Sequence, residues 1–203
     1  MHVVAPQLDD GTDAGVHAYY NSRLSECSFL DDPKHYERPR IDWILARVQG
    51  GSLLEIGSAD GTVSAMLAAK VQRLVAVDVC EESVQRLRAR GLPNVEARHA
   101  LIERIELKDQ FDWVVMSEVV EHLRDPRAVL TRVLTWLRPG GVALLSSPEG
   151  AWEADSIEHL HVFDLDSWCK LIVRAGSRDF RVFKIADRDG FDRWLAAEIT
   201  RDR

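Results

Sequence analysis

A loop of small residues between a buried strand and a helix is the most informative pattern in the sequence. The segment Leu53–Thr62 has an apolar start, then a tight turn at Gly57, then the beginning of an amphipathic helix. Glycine lets the backbone turn and approach a bound molecule closely, because it has no side chain to collide with that molecule. The start of the helix offers unpaired N–H groups to polar ligand atoms. The pattern predicts a small-molecule site at the carboxyl edge of a sheet.

An acidic residue, Asp78, ends the next predicted strand. A carboxylate offers several acceptor sites and no donor, so Asp78 is suited to accept hydrogen bonds from two ribose hydroxyls. A solvated acid at a strand end is the alternative. A dinucleotide-binding loop would have glycine at positions 57, 59 and 62, whereas the sequence has Gly57, Ala59 and Thr62. This spacing disfavours a dehydrogenase.

Three histidines are the candidate catalytic residues. His122 follows the fourth predicted strand, at the edge where the ligand is expected, and histidine is the natural general base near neutral pH. A structural His122 that orients the following helix is the alternative. His159 and His161 follow the fifth predicted strand and are candidates for the substrate site. Their alternative is a pair of strand-edge residues in the turn that leads to Phe163.

An acidic pair next to His122 raises the question of a metal ion. Glu118, Glu121 and His122 are spaced i, i+3 and i+4, which places them on one face of a helical turn. Such a set could hold a divalent ion, with a fourth ligand from Glu158–His161. Carboxylates that cap backbone amides without a metal are the alternative. A divalent metal is therefore possible but is not expected.

Strands and helices must alternate to bring these residues to one edge. Short apolar segments alternate with segments of helical periodicity, which is typical of right-handed crossover units around a parallel sheet. The turn at Asp189–Gly190 predicts an antiparallel C-terminal hairpin. The predicted fold class is α/β, with a single doubly wound, mostly parallel seven-stranded sheet and helices on both faces. The predicted strands are 52–56, 74–79, 95–100, 111–117, 142–147, 180–186 and 193–199.

Composition sets outer bounds on function. The 203 residues fit one domain, and a net charge of −7 disfavours a nucleic-acid partner. No apolar stretch approaches the length of a membrane span, and the N-terminus lacks a signal-peptide pattern, so we expect a cytoplasmic protein without a membrane partner. We expect residues 1–38 to form an N-terminal arm or lid and residues 39–203 to form the ligand-binding domain.

These motifs resemble those of class I S-adenosylmethionine (SAM)-dependent methyltransferases. Glu55, Gly57 and Gly61 match an acidic residue followed by G-x-G-x-G, and Ala59 stands where the family usually has glycine. Two later segments are similar to E-V-x-E-H-x-x-D-P and L-x-P-G-G of the family; they are 117–126 and 137–141. The resemblance covers roughly residues 38–200.

The resemblance implies a Rossmann-like fold, SAM as cofactor and S-adenosylhomocysteine as product. It implies that Arg40 holds the methionine carboxylate. Relatives often carry a Gly-Asp after the third strand that contacts the adenine amino group, whereas this chain has Ala100 and Leu101, so we expect backbone and apolar contacts there. The residues implied for cofactor binding are Arg40, Glu55, Gly57, Ser58, Ala59, Gly61, Asp78, Val79, Leu101 and Ser117.

The resulting functional hypothesis is SAM-dependent methyl transfer to a small hydroxylated or amine metabolite. The candidate base favours O-methylation, and the short segment 148–161 favours a compact pocket. One alternative is a metal-dependent RNA 3′-end 2′-O-methyltransferase, because those enzymes and ubiquinone-pathway O-methyltransferases share the E-x-x-E-H segment. Another is a catalytically inactive SAM-binding partner protein, which Ala59 and Leu101 would permit. We expect a monomer or homodimer.

Overall fold

A seven-stranded sheet forms the centre of the computed structural model, which describes Gly15, Tyr19 and residues 26–150 and 158–202. The strands are Ser52–Ile56 (β1), Arg73–Asp78 (β2), Val95–His99 (β3), Phe111–Ser117 (β4), Leu137–Pro148 (β5), Phe180–Ala186 (β6) and Asp192–Thr200 (β7). Their order is β3-β2-β1-β4-β5-β7-β6. Neighbours from β3 to β5 are parallel, and β7 runs antiparallel to both β5 and β6. The predicted fold class and C-terminal hairpin are confirmed.

Strand direction makes the centre of this sheet a suitable place for a ligand. The chain runs from β1 outward to β2 and β3, and then returns to the other side of β1 for β4 and β5. At such a reversal, the connections that follow the two central strands run to opposite faces of the sheet. This opens a crevice at the carboxyl ends of these two strands. The carboxyl ends of β1 and β4 border this crevice.

Helices cover both faces of the sheet. They are Arg38–Arg47 (α1), Thr62–Ala68 (α2), Glu81–Ala89 (α3), Pro126–Trp136 (α4) and Leu165–Arg174 (α5), with 3-10 helices at Ser28–Asp31 and Val120–His122. Successive residues of β1 point to opposite faces. Leu53 therefore packs in the cluster that includes apolar residues of α1, α2 and α3, and Leu54 packs in the cluster that includes those of α4 and α5.

The segment 137–141 differs from the prediction. The Pro139–Gly141 turn was expected to lie between the fourth helix and a strand that starts at Val142, but β5 already begins at Leu137 and contains this turn. Gly140 adopts a left-handed φ of 79°, and its N–H donates to the Arg201 carbonyl at 2.9 Å. This backbone bond keeps the turn attached to the sheet, so the chain passes from helix to strand without a separate loop.

The predicted arm is only partly within the described residues. Most of 1–38 lies outside them, as do residues 151–157 of the predicted segment 148–161. Of the described part, Leu30 is buried in the cluster on the α1 face. Within the part of the chain that the structure describes, no helix combines the length and apolar character needed to cross a bilayer.

Candidate active site

A cavity of about 430 Å³ opens at the carboxyl edge of β1, β2 and β4. It brings together nearly all of the predicted cofactor-binding residues. Gly61 is the exception, since it lies at the start of α2 and outside the cavity lining. A Cβ on Gly61 would come within 2.9 Å of Leu87 Cδ1. The predicted residues that line the cavity are Arg40, Glu55, Gly57, Ser58, Ala59, Asp78, Val79, Leu101 and Ser117, together with His122 and His159.

The Gly57–Gly61 loop is shaped by two contacts. Gly57 has a φ of 80°, and a Cβ on it would lie 2.5 Å from Val119 Cγ2. The loop therefore needs glycine here both for its backbone conformation and for the close approach of the segment after β4. Ala59 also has a left-handed backbone, with a φ of 47°. Its N–H donates to Asp78 Oδ2 at 2.8 Å, which holds the loop in this shape.

Asp78 lines the cavity and organises its wall. Besides the bond from Ala59, it accepts a hydrogen bond from Cys80 N–H on Oδ1 at 2.8 Å. Burial raises the pKa of Asp78 above its ordinary value, and these backbone donors partly oppose that shift. Each carboxylate oxygen can accept a further bond. The geometry thus leaves Asp78 able to receive ligand hydroxyls while it supports the loop.

Glu55 has a more structural position than its place in the motif suggests. Its side chain is buried, and Ser64 Oγ–H of α2 donates to Oε2 at 2.5 Å. Burial raises the pKa of the Glu55 carboxyl to about 8, although the Ser64 hydrogen bond acts in the opposite direction. At neutral pH this carboxyl is therefore largely protonated, and it joins β1 to the helix that follows the loop.

Arg40 extends from α1 into the cavity wall. Its Nη1 donates to Ser117 Oγ at 2.5 Å and its Nη2 donates to Glu37 Oε2 at 2.8 Å. Its Nε lies 3.9 Å from Glu118 Oε1 and makes no hydrogen bond. The side chain is buried, and Nε–H is a donor without a partner that could bind an anionic ligand group.

Glu118 does not lie on the predicted helical turn. The 3-10 helix contains only Val120–His122, and Glu118 precedes it with a φ of 57°. The reason is the sheet, because Glu118 N–H donates to the Ser146 carbonyl at 3.1 Å and so continues the pairing of β4 with β5. Ser146 Oγ–H also donates to Glu118 Oε1 at 3.0 Å. Desolvation raises the pKa of Glu118 to about 8, and the Arg40 charge opposes it.

His122 has a defined orientation in the cavity. Its Nδ1 lies 3.0 Å from the Glu158 carbonyl oxygen. Because a carbonyl only accepts, Nδ1 must be the protonated nitrogen and Nε2 then carries the lone pair of the neutral ring. Nε2 lies 3.8 Å from Glu121 Oε1. The structure thus presents a nitrogen that can accept a proton, next to a buried carboxyl group.

The other two histidines have different surroundings. The His159 ring lines the cavity and lies edge-on to His122 with a centroid separation of 5.0 Å. The His161 ring is not in the lining; its Nε2 is 2.9 Å from the Leu123 carbonyl and it stacks on Phe163. The structure therefore brings His159 and His122 together and leaves His161 outside the cavity lining.

A possible metal-binding group differs from the predicted one. Ligand atoms of Glu121, His122 and His159 all lie within 4.8 Å of one another. Glu118 was expected to be the third member, but the segment after β5 supplies His159 instead because Glu118 is held in the sheet pairing. One carboxylate and two imidazoles suit a divalent transition-metal ion.

Two polar residues were not among the predicted site residues: Ser146, which contacts the cavity wall, and Glu103, which belongs to the lining. Ser146 joins Ser117, at 2.9 Å between the hydroxyl oxygens, to Glu118. A polar residue at the end of the apolar run of β5 was the available signal. Glu103 also lines the cavity, and its signal was an acid shortly after the position where relatives carry one.

Comparison with known proteins assigns the chain to a family. Residues 30–182 match the family described as methyltransferase domain, and the chain belongs to it. The prediction of a class I SAM-dependent methyltransferase is thereby confirmed at the level of the superfamily.

Individual relatives cover different parts of the chain. A probable S-adenosylmethionine-dependent methyltransferase of Mycolicibacterium smegmatis is 36% identical over 50% of this chain and 40% of its own length. A ubiquinone biosynthesis O-methyltransferase of Xanthomonas campestris is 32% identical over 57% of this chain and 52% of its own length. The chain thus spans about half the length of these curated relatives.

A solved structure shares the complete architecture. The N-methyltransferase NodS from Bradyrhizobium japonicum, in complex with S-adenosylhomocysteine, matches with a TM-score of 0.72 and 21% identity. The match covers 92% of this chain and 99% of that one. It confirms the predicted Rossmann-like fold.

Proposed function

We propose that the protein transfers the methyl group of SAM to a small hydroxylated or amine metabolite, with oxygen the favoured acceptor atom. The observation that carries this proposal is one cavity that joins the Gly57–Gly61 loop and Asp78 to His122. Its volume of about 430 Å³ falls within the range of small-molecule sites. Membership of the methyltransferase domain family supports the same reaction.

The cavity residues fit SAM in chemical type. Asp78 offers acceptors for ribose hydroxyls. Two donors in the wall, Arg40 Nε and Ser58 Oγ, are buried without a hydrogen-bond partner, and a methionine carboxylate would satisfy such groups. Leu101 and Ile102 supply an apolar surface for a base. These unsatisfied donors support a ligand with an anionic group at this end of the cavity.

The acceptor side of the reaction centres on His122. When bound, SAM supplies an electrophilic methyl group. An acceptor oxygen or nitrogen would form a bond to that methyl carbon while the carbon–sulfur bond breaks and S-adenosylhomocysteine leaves, and His122 Nε2 is placed to take the acceptor's proton. The Glu158 carbonyl fixes the ring through Nδ1, and a carboxyl oxygen of Glu121 lies 3.8 Å from Nε2.

Charge in the cavity supports a neutral or cationic acceptor. Even without Glu55 and Glu118, whose pKa values are raised to about 8, carboxyl groups outnumber guanidinium groups in the lining. The remaining acids are Glu37, Asp78, Glu103, Glu121 and Glu158, and the basic residues are Arg40 and Arg124. An acidic wall repels phosphate-rich substrates. This lining favours a small amine or hydroxylated metabolite over an RNA end.

A first experiment measures ligand binding. We expect SAM and S-adenosylhomocysteine to bind the intact protein in calorimetry and Asp78→Ala to abolish or strongly weaken both. Asp166→Ala is the matched control, because Asp166 lies on the exposed face of α5 and pairs with Lys170. Thermal unfolding of each variant checks that the loop change leaves the fold intact. An intact protein that binds neither compound contradicts the proposal.

A metal-assisted version of the reaction is the second candidate. The clustering of Glu121, His122 and His159 favours it, because an ion held there would lower the pKa of an acceptor hydroxyl. Its test is calorimetric titration of the chelator-treated protein with Mn²⁺, beside His159→Gln. Binding that the variant loses supports the metal-assisted reaction. Absence of binding by the intact protein leaves His122 as the base without a metal.

A further inference from the structure

Tyr19 connects the predicted arm to the side of the cavity that holds the candidate base. It belongs to the cavity lining, and its hydroxyl donates to Glu158 Oε1 at 3.1 Å, although the two residues are 139 positions apart in the sequence. Glu158 is also the residue whose backbone carbonyl oxygen lies 3.0 Å from His122 Nδ1. One residue therefore contacts the arm through its side chain and the candidate base through its backbone.

The segment that carries Glu158 is anchored at His161. The backbone N–H of His161 donates to the Glu121 carbonyl at 3.1 Å, and its ring Nε2 lies 2.9 Å from the Leu123 carbonyl oxygen. These contacts attach the segment to the turn after β4, three residues beyond Glu158. The bond from Tyr19 holds the Glu158 side chain itself, so it adds a constraint on the position of the Glu158 carbonyl.

The position of this carbonyl determines which nitrogen of His122 carries the proton. The ring has an oxygen near each nitrogen, because the Glu158 carbonyl lies 3.0 Å from Nδ1 and Glu121 Oε1 lies 3.8 Å from Nε2. A proton on Nδ1 leaves Nε2 with its lone pair, whereas a proton on Nε2 would be directed towards Glu121 and would remove the base. Since the carbonyl at hydrogen-bond distance favours the Nδ1–H tautomer, its displacement would favour the other one.

We propose that Tyr19 is a positioning residue for the proposed base. Its hydrogen bond to the Glu158 side chain holds the Glu158 carbonyl against His122 and so keeps the ring in the tautomer that can accept a proton. This inference rests on the proposed function, in which His122 Nε2 takes a proton from the acceptor. The bond therefore makes the protonation pattern of His122 depend on a residue of the predicted arm.

The tautomer can be measured without an acceptor substrate. Nitrogen NMR of the isotope-labelled protein, at a pH where the histidine rings are neutral, distinguishes protonated from unprotonated ring nitrogens. His122→Gln identifies the His122 signals by their loss. We expect the Nδ1–H tautomer to predominate in the intact protein. In Tyr19→Phe, which removes only the hydroxyl, the ratio of Nδ1–H to Nε2–H should fall about 2- to 10-fold, the scale of one lost hydrogen bond.

Two variants of Glu158 test whether the hydrogen bond is the cause. Glu158→Gln keeps an oxygen that can accept from the Tyr19 hydroxyl, so it should retain the tautomer ratio of the intact protein, whereas Glu158→Ala should resemble Tyr19→Phe. Tyr36→Phe is the control and should leave the ratio unchanged. Tyr36 also belongs to the predicted arm, but it is exposed and lies outside the cavity lining.

Ligand binding separates this inference from the proposed function. Thermal unfolding should show that Tyr19→Phe keeps the fold, and calorimetry should give a Kd for S-adenosylhomocysteine within a few-fold of the intact value, because the bond acts on His122. An unchanged tautomer ratio in Tyr19→Phe overturns the inference alone. A fall in Glu158→Gln as large as that in Glu158→Ala also overturns it, since the Tyr19 bond would then not be the cause. An intact protein that binds no S-adenosylhomocysteine overturns the proposed function as well.

Discussion

Ala59 holds a left-handed backbone conformation that alanine rarely adopts. Its φ of 47° costs about 1–2 kcal/mol relative to an ordinary conformation, because the Cβ crowds the next carbonyl. The hydrogen bond from its N–H to Asp78 Oδ2 offsets this cost. In the sequence, Ala59 is only a departure from the family glycine, whereas in the structure the left-handed conformation is kept and alanine is strained in it.

Replacing Ala59 by glycine should stabilise the protein. Relief of about 1–2 kcal/mol of strain outweighs the added chain entropy of about 0.5–1 kcal/mol in the unfolded state, so Ala59→Gly should raise the free energy of unfolding by up to about 1.5 kcal/mol. Urea unfolding measures it. Ala97→Gly in β3, where the backbone is extended, should lose stability instead. Equal losses in both variants would show that position 59 carries no strain.

Glu55 makes stability depend on pH. Burial raises the pKa of its carboxyl from 4.5 in the unfolded chain to about 8 in the folded protein. Between these values the unfolded chain releases a proton that the folded protein keeps, so stability falls as pH rises, by at most about 1.4 kcal/mol per pH unit. Glu118 titrates in the same window and adds to the slope.

The Glu55→Gln variant should therefore lose part of this slope. Gln keeps an oxygen for the Ser64 hydroxyl but does not ionise, so the variant should gain stability over the intact protein increasingly from about pH 5 to about pH 8. Urea unfolding at several pH values gives both slopes. Glu106→Gln, at an exposed position, should leave the slope unchanged. Parallel curves for Glu55→Gln and the intact protein would mean that Glu55 is ionised in the fold.

Contact between the Gly57–Gly61 loop and the segment after β4 joins two elements at the mouth of the cavity. A methyl group on Gly57 would lie 2.5 Å from Val119 Cγ2. Gly57→Ala should therefore destabilise the protein through a steric clash and through its φ of 80°, by about 2–4 kcal/mol in total.

A double-mutant cycle separates the two causes. Val119→Ala removes the clashing methyl groups, so Gly57→Ala should cost less in the Val119→Ala background than in the intact protein. The remaining cost measures the backbone strain. Urea unfolding of the four proteins gives the coupling free energy. Additive losses would show that Val119 gives way without cost.

Helices and strands were easier to predict from the sequence than the residues at which they begin and end. Strand β4 has its predicted bounds, because an apolar run between polar residues defines a buried strand by length alone. The turn after it was predicted wrongly as a helix that includes Glu118. The spacing i, i+3 and i+4 is compatible with a helix but does not show at which residue the helix begins. The hydrogen bond from Glu118 N–H to the Ser146 carbonyl shows that the sheet pairing extends one residue further.

The fold builds the cavity from segments that are distant in sequence. The side proposed to bind the cofactor comes from β1, β2, their loops, Arg40, Leu101 and Ser117. The side proposed to carry the chemistry comes from 118–123 and 158–160. Motif spacing predicted that most residues of the first side lie close together, because most of them lie at or near the carboxyl ends of neighbouring strands. It did not predict that His159 approaches His122, because the path of the chain after β5 has no local signature.

This division predicts that binding and catalysis can be separated. His122→Gln should leave the Kd of S-adenosylhomocysteine within a few-fold of the intact value, because His122 is proposed to act on the acceptor. It should lower the turnover of any acceptor found among small phenols and amines by about 10²–10⁴-fold. Asp78→Asn should do the reverse, raising the Kd and KM for SAM more than it lowers kcat. If His122→Gln instead weakens S-adenosylhomocysteine binding as much as Asp78→Asn does, then the histidine belongs to the cofactor side, and the general base must be sought elsewhere.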